Sequence, residues 1–316
     1  MTKRVQSERR PAELNHQLRP LRAAPRLSRL RRHIWPLVFI APFFLLFLVF
    51  GVYPILFSLV LSFQEWNGAP GQQHWVGLQN YATLLTDGYF WSSMLNSALI
   101  FVLHFPVMIL GGLFLAVVLN ENRLRFQGLW RALIFLPHLT SMVAAGITFR
   151  LLFEKDSGLV NRLLGLIGVS PVPWLDDEWW ARVAVGLLLV WAWTGYQMVI
   201  FLAALQSIPS EVNEAALIDG ASRSQLFWRV TVPLMRPALV FVTTLSIIGT
   251  FALYTEPQIL TGGGPIHATT TPTMEIYAQA FGNVRYGYGA ALSYVYFAIV
   301  VIATALQLRL TQRENR

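Results

Sequence analysis

Six predominantly apolar stretches free of Asp, Glu, Lys and Arg punctuate the chain: 34–64, 88–120, 132–149, 183–210, 237–255 and 286–308. Each reaches the ~17–25 residues that an α-helix needs to cross a hydrocarbon core. A charge at the bilayer centre costs about 2.5–3.5 kcal/mol on insertion scales, so uncharged runs of this length predict six membrane-spanning helices. The first two exceed the minimum, which places their ends in the interface or tilts them. Pro36, Pro42 and Pro54 also predict kinks in the first. Between spans three and four, Leu159, Val160, Leu163, Leu164 and Ile167 recur at helical spacing, predicting a short amphipathic helix on the membrane surface. Trp174, Trp179 and Trp180 then fall where an interfacial aromatic belt belongs. The segment 260–272, with Thr261-Gly262-Gly263-Gly264-Pro265, reads as a flexible outer loop.

Composition agrees with the pattern. The 316 residues are 55% hydrophobic and 13% charged, against about 25% charged in ordinary soluble domains, and the mean hydropathy is +0.50. A soluble enzyme is excluded, and the fold class is an all-α polytopic membrane protein. The 24 Lys and Arg distribute unevenly: 10, 3, 3 and 3 lie in 1–33, 121–131, 207–236 and 309–316. By the positive-inside rule these segments and both termini are cytoplasmic. The chain then divides into a basic tail 1–33, a six-helix transmembrane domain 34–309 and a short tail 310–316. The first tail fits a basic arm lying on anionic lipid headgroups, rather than a nucleic-acid-binding face. The absence of Cys excludes disulfides and thiolate sites.

No catalytic engine is legible. The only lysines, Lys3 and Lys155, complete no phosphate-binding loop, and there is no His-Glu-x-x-His or Gly-x-Ser-x-Gly motif. No metal site or cofactor is expected in this chain. A membrane-embedded enzyme or an ion-coupled carrier would want acids or a nucleophile at mid-span. The spans hold no acid, Glu256 lying at the outer end of the fifth. His104 and His138, each near a proline, read as packed kinks. Were the chain a transporter, any pumping energy would have to come from another chain or from an ion gradient.

The loop 207–236 is the informative one. Ser207-Ile208-Pro209-Ser210 signals a helix start, with Glu211 and Glu214 near its positive end. Asp219-Gly220 stops that helix, and Ser222-Arg223-Ser224-Gln225 fits a capping box that starts a second one. Helix, Gly turn, helix can read DNA. Here Glu211, Glu214 and Asp219 balance Arg223, Arg229 and Arg236, which leaves no basic face for phosphates. A protein-docking element fits better.

Glu214-Ala215-Ala216, then Gly220, then Val230-Thr231-Val232-Pro233 resembles the E-A-A-x-x-x-G-x(9)-I-x-L-P motif of the inner-membrane permeases of binding-protein-dependent ABC importers. Val230 and Val232 are conservative departures. The stretches 201–209, 260–265 and 76–81 look like the carbohydrate, maltose-type branch of that family. The resemblance implies a coupling helix carried by Glu214, Ala215, Ala216, Asp219 and Gly220 that engages a cytoplasmic ATPase. It also implies a second homologous permease, an ATPase dimer that binds the ATP and Mg, and an extracytoplasmic sugar-binding protein. The location implied is a bacterial or archaeal cytoplasmic (inner) membrane.

A saccharide site needs aromatic faces and a few polar groups in an apolar cavity. Trp191, Trp193, Tyr196 and Gln197 cluster in span four. Ser246, Gly249, Thr250 and Leu253 share one helical face in span five. By resemblance to the maltose-type permease, Tyr196, Ser246, Gly249, Thr250 and Leu253 fall at or beside sugar-contact positions, with Thr250 and Leu253 replacing amide side chains. The candidate substrate-binding set is therefore Trp193, Tyr196, Gln197, Ser246, Gly249, Thr250 and Leu253. A di- or oligosaccharide is the first reading and a glycerol phosphate ester the alternative. The lack of an intramembrane Lys or Arg weighs against the ester.

Overall fold

The computed structural model describes residues 38–121 and 125–313. The basic tail 1–33 lies outside them. Two compact units divide the chain, Met1–Phe57 and Ser58–Arg316. The described part of the first, 38–57, is helical throughout. A π-helical turn at Leu48–Val52 interrupts the regular ladder, the Tyr53 N–H reaching back to the Leu48 carbonyl. Pro54, which has no N–H to give to the ladder, follows two residues beyond this turn. Phe43 and Phe47 stack 6.2 Å apart, and most apolar side chains of this unit are exposed. A helix apolar all round belongs against lipid or a partner chain.

The second unit is helical apart from a two-stranded antiparallel ribbon, Gln64–Glu65 with His74–Trp75. Its second span, Gly88–Asn120, starts at Asp87, whose Oδ1 accepts from the N–H groups of Tyr89 (3.0 Å) and Phe90 (3.3 Å). The fourth, Glu178–Gln206, starts the same way on Asp177, with Trp179 and Trp180 donating at 2.9 and 3.0 Å. Each cap satisfies donors that a helix start leaves without partners. The last span is the helix Tyr286–Arg313. Among the described residues four helices are long and apolar enough to cross a membrane, or six if each of two bent pairs counts as one span.

The bent pairs correct the sequence reading. The uncharged run 132–149 is not one rod. Gln127–Leu139 and Met142–Leu152 meet at 91°, because Pro137 cannot donate to the preceding turn and Thr140 then turns extended. Thr140 Oγ1 donates to the Leu136 carbonyl at 3.3 Å, recovering part of the loss. The fifth span, Arg236–Phe251, is bent 64° from Arg223–Leu234.

Helix Glu178–Gln206 is the hub. It packs most extensively on Gly88–Asn120 and next on Gln127–Leu139. Small residues permit this approach. A Cβ on Gly112 would sit 3.1 Å from Gln197 Cβ, and one on Gly195 only 2.0 Å from the Ile134 carbonyl oxygen. Two buried clusters line the hub: Ile100, Val185, Leu188 and Leu260 toward one end, Leu113, Met198, Phe201 and Val242 toward the other.

Two further expectations change. Trp174 is buried inside the protein rather than facing outward; its Nε1 donates to Asn161 Oδ1 at 2.9 Å and its ring stacks on Phe153 at 5.1 Å. Trp179 is exposed, as an interfacial residue would be. The amphipathic helix does form, as Leu159–Leu166, with Leu159, Leu163 and Leu166 outward. The segment 260–272 is no loose loop: Thr269, Thr270 and Thr271 are buried. Asn96 Nδ2 donates to the carbonyls of His267 (2.7 Å) and Thr270 (3.2 Å), and Arg182 Nε donates to that of Ala268 (3.0 Å). Side chains thus supply the hydrogen bonds that irregular backbone lacks.

Candidate functional site

A cavity of about 470 Å³ opens between spans two, four and five. Its volume lies in the range of small-molecule sites, ~300–1,000 Å³. All seven residues of the candidate substrate set line it: Trp193, Tyr196 and Gln197 from span four, Ser246, Gly249, Thr250 and Leu253 from span five and its end. Helical spacing explains the convergence. Residues 193, 196 and 197 occupy one face of their helix, and 246, 249, 250 and 253 one face of theirs. Trp191, two residues away, points elsewhere: it is exposed and packs on Phe149 at 5.3 Å.

The two faces are joined at one polar contact. Gln197 Nε2 donates to Ser246 Oγ at 3.1 Å, and both side chains are buried. Gln197 Oε1 is buried with no partner. An amide oxygen in that state costs roughly 1–3 kcal/mol, so it offers an acceptor to a guest hydroxyl. Thr250 Oγ1 donates to the Ser246 carbonyl in its own helix at 2.7 Å. It lies 3.5 Å from His104 Nε2.

Among the wall residues that the sequence reading missed are His104 and Glu256. His104 was expected to pack at a kink; instead it lines the cavity, with Nδ1 2.6 Å from the Ile100 carbonyl. A carbonyl only accepts, so Nδ1 carries a proton in that contact. Glu256, in the short helix Thr255–Leu260 beyond span five, is buried against the same cavity. Burial pushes its carboxyl above the ordinary range. A polar residue flanked by proline carries no sequence signal separating wall from packing, and both join the site through contacts distant in sequence. His138 does pack, between Trp193 (4.6 Å) and Tyr196 (4.8 Å), bracing the aromatic pair.

The second site is the loop 207–236. Its first helix is Ser210–Ile218, Asp219 follows, and Gly220 takes φ +85°. The Gly220 N–H bonds the Leu217 carbonyl at 3.1 Å and the Ala221 N–H the Ala216 carbonyl at 3.0 Å. This double closure ends a helix on a left-handed residue. Ser222 and Gln225 then form the expected reciprocal box. Glu214, Ala215, Asp219 and Gly220 are exposed, Ala216 half-buried. Leu217 and Ile218 are also exposed, Ile218 at 85%, so the loop presents apolar surface beside its carboxylates. Among the described residues no group of His, Asp and Glu could hold a metal ion.

Fold and cavity together define a multi-pass helical membrane protein with a cavity between spans two, four and five. The chain belongs to the binding-protein-dependent transport system inner membrane component family, whose model matches residues 108–316. It is a transport subunit rather than an enzyme. It is 40% identical over 275 residues to the lactose transport system permease protein LacF of Rhizobium radiobacter, covering 85% of this chain and 91% of that protein. It is 36% identical over 278 residues to the arabinooligosaccharides transport system permease protein AraP of Bacillus subtilis, covering 87% and 88%. Among solved structures, a bacterial alginate ABC transporter in complex with an alginate pentasaccharide-bound periplasmic protein superposes with a TM-score of 0.78. That match has 20% identity and covers 92% of this chain and 98% of the other.

Proposed function

We propose that this chain is one permease half of an ATP-driven importer that carries a neutral di- or oligosaccharide, with the cavity between spans two, four and five as the sugar's passage site. The observation that carries the reading is the buried, unpartnered Gln197 Oε1 beside Ser246, in a wall that also holds Trp193 and Tyr196. Aromatic faces stack on the C–H surfaces of a pyranose and the polar atoms meet its hydroxyls. The relatives' names point the same way, lactose and arabinooligosaccharides being their cargo. A glycerol phosphate ester fits poorly: no Lys or Arg lines the cavity, and a dianion needs a cation nearby.

The loop 207–236 is the docking element for a cytoplasmic ATPase, with Glu214, Ala215, Ala216, Asp219 and Gly220 at the contact. Its exposed Leu217 and Ile218 are surface for a partner to cover. Both termini are then cytoplasmic, as the cation distribution requires. The remaining partners are a second permease, an ATPase dimer that binds ATP and Mg, and an extracytoplasmic sugar-binding protein. Closure of the ATPases would draw the docking loops together and rock the helices between inward and outward states. Uptake of labelled lactose and arabino-oligosaccharides into proteoliposomes holding the complete importer tests the reading. ATP-dependent uptake of at least one is expected, and uptake of neither, with glycerol phosphate esters carried instead, overturns it.

A further inference from the structure

The cavity carries one acid and no Lys or Arg to balance it. Glu256 is buried against it, and no Lys or Arg is among the lining residues. Within the described residues the ion pair that forms, Arg182 with Glu178 at 3.8 Å, lies outside that lining. His104 donates from Nδ1 to the Ile100 carbonyl, and its Nε2 lies 3.5 Å from Thr250 Oγ1. The remaining polar atoms of Tyr196, Gln197, Ser246 and Thr250 are neutral. The cavity that this lone carboxyl group lines has Leu189, Val242 and Leu253 among its walls, apolar surface that screens a charge poorly.

We propose that Glu256 is the charge filter of the passage site, admitting neutral and amino saccharides and rejecting uronates and sugar phosphates. The inference rests on the saccharide reading of the cavity. An anionic guest must either face the Glu256 carboxylate across an apolar cavity or drive a proton onto it. Both raise the free energy of its complex, while a neutral guest meets two carboxylate oxygens that accept from its hydroxyls. Discrimination of this kind comes from the repulsive element, which acts on the wrong guest alone.

Equilibrium dialysis of the purified, nucleotide-free importer complex, without binding protein, isolates the cavity from upstream selection. The probes are lactose, the lactose derivative in which one CH2OH is oxidised to a carboxylate, and an arabino-oligosaccharide. The parent is expected to bind lactose at least about ten-fold more tightly than the uronate. Glu256→Gln should weaken lactose about three-fold, since the amide keeps one acceptor, and bring the two sugars to within about three-fold of each other. Glu256→Asp keeps the charge and should keep the discrimination. An unchanged ratio in Glu256→Gln, or a parent that binds both sugars alike, overturns the filter while leaving the saccharide site standing. Binding of neither lactose nor an arabino-oligosaccharide by the parent overturns the site and the filter together.

Discussion

Gln197 and Ser246, 49 residues apart in sequence, meet in one buried hydrogen bond of 3.1 Å that closes the wall between spans four and five. The donor side of the amide is thereby used and its oxygen left open. Gln197→Leu removes the open acceptor and should lower sugar uptake about ten-fold, the equivalent of one hydrogen bond. Ser246→Ala strands Gln197 Nε2 and should cost about as much. Because the two side chains touch, the double variant should lose less than the sum. Additive losses in an uptake assay would mean that the pair does not act as a unit.

Close backbone approach makes Gly195 the least replaceable residue of the hub helix. A Cβ there would lie 2.0 Å from the Ile134 carbonyl oxygen. Backbone cannot swing aside as a side chain can, so Gly195→Ala should destabilise by roughly 1–3 kcal/mol or more despite the better helix propensity of Ala. A clear fall in the melting temperature of the detergent-purified complex is expected. Gly249→Ala, in open space, serves as the control and should melt with the parent.

Gly220 tests the docking loop by a different physical route. A Cβ at Gly220 meets nothing, but φ +85° is strained for any side chain. Gly220→Val should cost about 1–3 kcal/mol at the turn and uncouple ATP hydrolysis from uptake. Gly220→Asn, whose side chain tolerates the left-handed region, should keep most coupling. Equal coupling in all three proteins would show that the turn's geometry is immaterial to docking.

Orientation follows from charge alone and is easily probed in a chain without Cys. Asp156 is exposed in the connection between spans three and four. Asp156→Cys should react with an impermeant thiol reagent in intact cells. Thr270, an attractive target from sequence, is buried and should label slowly from either side. Reaction of the Asp156 variant only after lysis would reverse the topology.

Much of this arrangement is written locally. Asp87 and Asp177 announce their helices by capping chemistry, Gly220 and Ser222 theirs by turn chemistry, and 246, 249, 250 and 253 share a face by periodicity alone. Features set by distant contacts are not. Trp174 is an interfacial residue by composition and a buried one because Asn161 accepts its N–H. The threonines after Pro265 look like loop until Asn96 and Arg182 arrive from two other spans. His104 and Glu256 enter the cavity for the same reason. A break such as that at Thr140 needs both a proline and a neighbour to pack on, and only the proline is legible.

The most direct test of the sugar passage is uptake by complete importers carrying Tyr196→Ala or Thr250→Leu, alongside basal ATP hydrolysis and subunit assembly. Tyr196 supplies a ring face to the cavity and Thr250 a hydroxyl that the leucine replaces with bulk. The account predicts that both variants assemble and hydrolyse ATP as the parent does while uptake of its sugar falls at least about ten-fold. Parent-like uptake of every tested sugar by both variants would contradict it and place the passage site outside this cavity.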